Sequence, residues 1–174
     1  MNPTTLSLED AQELAQRHAQ ASGVVIRELH TSTEMISASE LLAQVWGLDG
    51  NKLHMNPDLL IAMAHAGNYI VGAYDGEKMV AVSVGFFHAP RAAALHSHIT
   101  GVVSDYAGKG VGKALKFHQR AWCLARGVTT MTWTFDPLVA RNAFFNIERL
   151  GARRAVYLAN FYGALGCCSA HFGN

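Results

Sequence analysis

The chain has 174 residues, half of them hydrophobic and 16% charged, which is enough apolar material to bury one sizeable core and too much for a disordered segment. Fourteen Lys and Arg against thirteen Asp and Glu leave a net charge of +1, so no basic footprint for nucleic acid or for an anionic membrane surface exists, and any anion site must be local.

Cys123, Cys167 and Cys168 form neither an ordinary disulfide framework nor a CxxC metal spacing, which favours a reducing compartment. The first residues, MNPTTLSLEDAQ, are acidic and lack the charged-then-apolar pattern of a signal peptide. No apolar run reaches bilayer length, so a cytoplasmic, single-domain protein is the expectation.

Residues 7–21 read as a helix capped by Ser7, with Glu9 and Asp10 in the first turn and Leu8, Ala11, Leu14, Ala15 and His18 at helical spacing; Gly23 ends it. A β-branched run over residues 24–29 predicts a first strand, and the Thr and Ser cluster behind it caps a second helix through Trp46. Pro57 opens a short helix ending near Gly67. Residues 69–74 and 79–87 are strand-like and should pair antiparallel across Asp75-Gly76-Glu77-Lys78, where Asp-Gly is a hairpin signal. Pro90 breaks residues 88–94, and a strand resumes over 95–103.

Residues 110–126 predict an amphipathic helix, with Val111, Ala114, Leu115, His118, Ala121, Trp122 and Ala125 on one face, Lys113, Lys116 and Arg120 on another, and Gly127 as its stop. A β-rich run follows over 128–135. Asp136-Pro137 predicts a helix start, with Asp as cap and Pro in the first helical position, and that helix should end at Leu150-Gly151. Residues 155–162 complete the pattern as a last strand, giving a mixed α/β fold.

Between the strand at 95–103 and the helix at 110–126, Gly108, Gly110 and Gly112 alternate with Lys109 and Val111. Glycine permits positive φ and lets a ligand approach the bare backbone, and the free N–H groups at a helix entrance favour phosphate. Lys109 and Lys113 add local charge. A P-loop would need Gly at Ala107 and Ser or Thr at Ala114; a dinucleotide GxGxxG would need Gly at Lys113. Neither spelling holds.

The stretch Ala107-Gly108-Lys109-Gly110-Val111-Gly112 resembles the cofactor loop of the GNAT superfamily of N-acyltransferases, whose pattern is Gln or Arg, two residues, Gly, one residue, Gly or Ala; Ala107 departs from its first position. LHSHITGVVSDYAGKGVGKALKFHQR, TWTFDPLVARNAFFNIERLGA and NFYG together resemble a poorly characterised subgroup of predicted acetyltransferases of that superfamily, over residues 56–163. The resemblance implies a GNAT-like fold with a central, mostly antiparallel mixed sheet flanked by helices, its last strand missing or atypical in the tail ALGCCSAHFGN. It implies an acyl-CoA co-substrate, most simply acetyl-CoA, and a small-molecule or peptide amine as acceptor.

By that resemblance, main-chain groups at Val102, Val103 and Ser104 pair with the pantetheine arm and acyl carbonyl, Gly108, Lys109, Gly110, Val111, Gly112 and Lys113 hold the pyrophosphate, and Asn142 touches the pantetheine. The family's strand-four Glu is replaced here by His96 and His98, which lie about 6.6 Å apart along one strand face and have pKa values suited to a general base. They also fit hydrogen-bonded structural residues beside Ser97, or less readily a metal pair. The family's acidic Tyr falls near Ile147, leaving Tyr157 and Tyr162 as the available phenols. A non-catalytic acyl-CoA-binding module is the alternative function. A second subunit covering the terminal sheet edge would make the chain a homodimer.

Overall fold

A computed structural model of the chain describes residues 7–48, 55–136, 138–153 and 156. Two compact units divide it, Met1–Thr134 and Phe135–Asn174.

The first unit begins with α1 (Leu8–Ala21). Ser7 Oγ accepts from the Asp10 N–H at 3.1 Å while the Asp10 carboxylate accepts from the Ser7 N–H at 3.2 Å, a reciprocal box that satisfies two donors a helix start leaves unpaired. Thr31 and Glu34 repeat the device at α2 (Ser32–Val45), and Asn56 with Pro57 opens α3 (Pro57–His65). β1 (Val25–Glu28), β2 (Tyr69–Asp75), β3 (Lys78–Phe87), β4 (Ala94–Val102) and β5 (Thr130–Thr132) form one sheet in that order. The first three pairings are antiparallel and β4–β5 is parallel. The β2–β3 hairpin closes with Asp75 opposite Lys78, so Gly76, at φ +58°, and Glu77 form the two-residue loop. Parallel strands need a crossover, and α4 (Val111–Leu124) supplies it.

The helices cover the sheet on both faces. A Cβ on Gly101 would meet Leu42 and Trp46 of the α2 region, whereas one on Gly85 would meet Gln119 of α4. Gly101 pairs with Val82, and Gly85 lies three residues further along β3, so the two glycines open to opposite faces by the alternation of a strand. α2 therefore packs on one face and α4 on the other, where Ala11 and Ala15 of α1 pack against Ala121. Leu29, Met35, Leu42, Ile70, Leu95 and Leu115 fill the core at 1% exposure or less. Each such side chain contributes about 1.5–3 kcal/mol through burial.

Three expectations need correction. The strand predicted over 128–135 pairs only at Thr130–Thr132. In the second unit α5 (Ala140–Phe144) begins three residues after Pro137 and runs into a wider π-turn, Phe145–Arg149. Asp136 does not cap it: its Oδ1 accepts from the Leu138 N–H at 2.9 Å, closing a local turn, and Val139 precedes the helix without a side-chain cap. The last strand, with Tyr157 and Tyr162, lies outside the described residues.

Candidate active site

β5 follows β4 for only three register pairs, Ala94–Thr130, Leu95–Met131 and His96–Thr132. From Ser97 onward β4 runs without it. The Val103 N–H donates to the Val80 carbonyl at 3.0 Å. Antiparallel residues alternate in direction, so Val103 and Gly101 aim their backbone groups at β3 while Val102 and Thr100 aim theirs at the opposite edge, which no strand among the described residues pairs there. Of the two valines, Val102 faces that edge and Val103 is already engaged with β3. Thr100, absent from the sequence reading, joins Val102; only the ladder register reveals it.

β4 leads into a short 3₁₀ turn, Ser104–Tyr106, and the glycine loop. Gly108 at φ +77° and Gly110 at φ +88° use the left-handed region that glycine alone occupies cheaply. Gly112 does not: it lies inside α4, and a Cβ there would meet only Val102 Cγ2 at 3.9 Å. The first intrahelical acceptor is the Gly110 carbonyl, bound by the Ala114 N–H at 2.9 Å, so the N–H groups of Val111, Gly112 and Lys113 have no carbonyl one turn back. Gly110, as N-cap, offers no side chain to them. The Lys109 ammonium lies 4.9 Å from the Tyr106 ring and that of Lys113 lies 5.5 Å from the Phe117 ring. The Tyr106 hydroxyl donates to Asp75 at 2.5 Å, anchoring the loop to the hairpin.

His96 and His98 do share a face, with rings 6.4 Å apart and each beside Phe86, at 5.3 and 5.6 Å. The register between β3 and β4 slips here: Val84 faces Ile99 but Gly85 faces Ser97, so His98 is the extra residue of a bulge. Thr132 Oγ1 lies 3.1 Å from His96 Nδ1 and 2.9 Å from His88 Nε2. A single hydroxyl donates to one ring and accepts from the other. The His96 pKa is lowered, first by burial and then by His98, His88 and Lys116.

Across the sheet, the Lys116 ammonium donates to the Oγ of buried Ser97 at 2.6 Å and lies 4.8 Å from the Trp133 ring. Burial lowers its pKa to about 8. Helical spacing predicts Lys116 on the polar face; its long stem instead carries the ammonium under β4. Gln119, one turn on, is fully buried with neither amide atom partnered by protein, over the space that Gly85 leaves open. Among the described residues, no group of three or more His, Cys, Asp or Glu could hold a metal ion. Also among them, no helix is long and apolar enough to cross a membrane. A cleft of about 510 Å³ between α2 and the β2–β3 hairpin borders Val103 and Ser104 but includes neither His96 nor His98. In the second unit, the Asn142 carbonyl accepts from Asn146 Nδ2 at 2.8 Å.

No protein-family model and no curated protein matches the sequence. Solved structures do match in fold. An aminoglycoside acetyltransferase from an uncultured soil metagenomic sample, in complex with sisomicin, superposes with a TM-score of 0.66 at 15% identity, over 78% of this chain and 93% of that one. The ribosomal-protein-S18-alanine N-acetyltransferase from Escherichia coli gives 0.60 at 19% identity, over 76% and 79%. The ribosomal-protein-alanine N-acetyltransferase from Brucella melitensis gives 0.59 at 17%, over 79% and 99%. With a mixed sheet of five strands and flanking helices among the described residues, the chain has the GNAT fold.

Proposed function

We propose that this protein is an acyl-CoA-dependent N-acyltransferase that passes an acyl group, most simply acetyl, directly to the amine of a small molecule or peptide. The observation that carries the proposal is the parting of β4 from β5 beyond His96 and Thr132, with the bare N-terminus of α4 at the far end of the same open edge.

The residues present fit such a donor. Thr100 and Val102 offer outward backbone groups for an extended amide-bearing arm, as a missing strand would. The unpartnered N–H groups from Val111 to Lys113, the helix dipole and the ammonium groups of Lys109 and Lys113 suit a pyrophosphate. Glycines at 108 and 112 leave the backbone open to it. Ala107 supplies no side-chain donor, so the hold leans on main chain and lysines. The thioester supplies an activated carbonyl and a thiol leaving group.

His96 is the base. With its Nδ1–H donated to Thr132 Oγ1 and the Thr132 proton donated to His88, its Nε2 keeps the lone pair that accepts the amine proton. A lowered pKa keeps His96 neutral at pH 7. His98 on the bulge borders the same space from beside Phe86. Asn142 stays in the proposed set on the family resemblance, and Tyr162 as an available phenol.

The test is thiol release from acetyl-CoA in the presence of a panel of small amines, aminoglycosides and peptide N-termini. Acetylated product with stoichiometric thiol is expected. Thermal stabilisation by coenzyme A without turnover on any amine would support the binding module instead, and neither effect would defeat both.

A further inference from the structure

We propose that Lys116 is the proton donor to the departing coenzyme A sulfur. The assignment rests on the acyl-CoA reading above and goes beyond it, since the sequence offered only the phenols of Tyr157 and Tyr162 for this role.

Position is the first argument. Ser97 is the first β4 residue beyond the last β4–β5 pair, His96–Thr132, and Trp133 is the first residue after β5. The Lys116 ammonium reaches both, at 2.6 Å to Ser97 Oγ and 4.8 Å to the Trp133 ring, and so stands in the angle where the strands part. A pantetheine arm laid along the open β4 edge from α4 brings its reactive end toward that angle.

Chemistry is the second. Lys116 takes part in none of the ion pairs among the described residues. A solitary cation drawn under a sheet is unfavourable unless an anion joins it, and the one anion this reaction generates is a thiolate. Burial lowers the pKa of Lys116 to about 8, near that of an ordinary thiol, which suits transfer in either direction. Gln119, one turn along the same helix and over Ser97's register partner Gly85, has a buried amide with no protein partner.

The step balances. The amine lone pair adds to the acyl carbon and its surplus proton passes to His96. The C–S bond then breaks with its electron pair on sulfur, which takes a proton from Lys116 Nζ to give the free thiol. Lys116, now neutral, regains a proton from water and His96 returns one to solvent.

The thiol of bound coenzyme A can be titrated by its thiolate absorbance without any acceptor amine. Among the described residues, His96 on β4 couples electrostatically to Lys116, and Lys113 and Arg120 lie one turn to either side of it on the same helix. The titration is therefore run in wild type and in a His96→Gln background. In wild type the bound thiol should ionise about one pH unit or more below free coenzyme A. Lys116→Met, or Lys116→Gln should that fold better, should abolish the shift. Lys116→Arg should keep it while lowering kcat at least about tenfold, because a guanidinium supplies charge but does not yield its proton. A shift equal in wild type and the neutral variants overturns the assignment, as does full activity of Lys116→Arg. Failure of wild type to bind coenzyme A overturns the acyl-CoA reading itself, and Lys116's role with it.

Discussion

Substituting Gly110 by Ala tests the geometry of the glycine loop, and the structure sets its size. Gly110 has φ +88°, where an L-residue costs about 1–2 kcal/mol. A Cβ there would lie 2.9 Å from Ser22 Oγ, which is held by its own donation to the His18 carbonyl at 2.8 Å. Relieving the overlap means giving up that hydrogen bond, about 1 kcal/mol more. Gly108, at φ +77°, is the control, because a Cβ there meets nothing within 4 Å and only the backbone term applies. Gly110→Ala should therefore destabilise by about 2–3 kcal/mol, or roughly 4–12 °C in Tm for a chain of this size. Gly108→Ala should cost about 1–2 kcal/mol. Adding Ser22→Ala to Gly110→Ala should leave the backbone term and narrow the gap to Gly108→Ala, because the clash partner is gone. Urea unfolding, read as a change in midpoint at constant m, measures all three. Equal losses for the two glycine variants, or a Gly110→Ala that costs nothing, would refute the reasoning.

Lys109→Ala and Lys113→Ala should each weaken coenzyme A binding roughly fivefold, on about 1 kcal/mol for a solvated charge pair, with the loss shrinking at high salt; calorimetry at two ionic strengths checks this. An unchanged affinity would move the site elsewhere. His96→Ala should lower kcat by about 10²–10⁴. Since the base must be neutral and the His96 pKa is lowered, the acid limb of the wild-type profile should fall below the ordinary imidazole value of about 6.5. Glu34, at the start of α2, is pulled upward by burial, but hydrogen bonds from the His30 N–H, from Arg27, and from the Thr31 N–H and hydroxyl outweigh it and hold its carboxyl down to about 2. A depressed carboxyl stabilises fully above its unfolded value and loses that contribution as pH falls from about 4.5 toward the folded value. Glu34→Gln should therefore lose less stability than wild type between pH 6 and pH 2.5, as followed by urea unfolding.

Much of this fold is legible in local sequence chemistry. Ser7 with Asp10 and Asn56 with Pro57 mark helix starts by side-chain hydrogen bonding that needs no tertiary partner. The continuous apolar runs of β2 and β3 and the β-rich run of β4 mark strands, and Gly108 and Gly110 mark left-handed backbone. What was not legible depends on register and depth. The direction of the Val103 backbone follows from the β3 ladder, and the bulge at His98 from the pairing of Gly85 with Ser97. Lys116 reads as a polar-face residue because helical spacing reports where a Cα lies, not where a four-carbon stem carries its charge. Asp136-Pro137 carries a strong start signal, yet Asp136 satisfies the Leu138 N–H in a turn and the helix waits until Ala140.

The account stands on an acyl-CoA lying between the open β4 edge and the α4 N-terminus. Calorimetric titration with acetyl-CoA, with ATP as the competing phosphate ligand, tests this most directly. The expected result is saturable one-to-one binding of acetyl-CoA, weakened in the Lys109→Ala/Lys113→Ala double variant, with no comparable binding of ATP. Absence of acetyl-CoA binding, or binding of ATP with equal affinity, would contradict it.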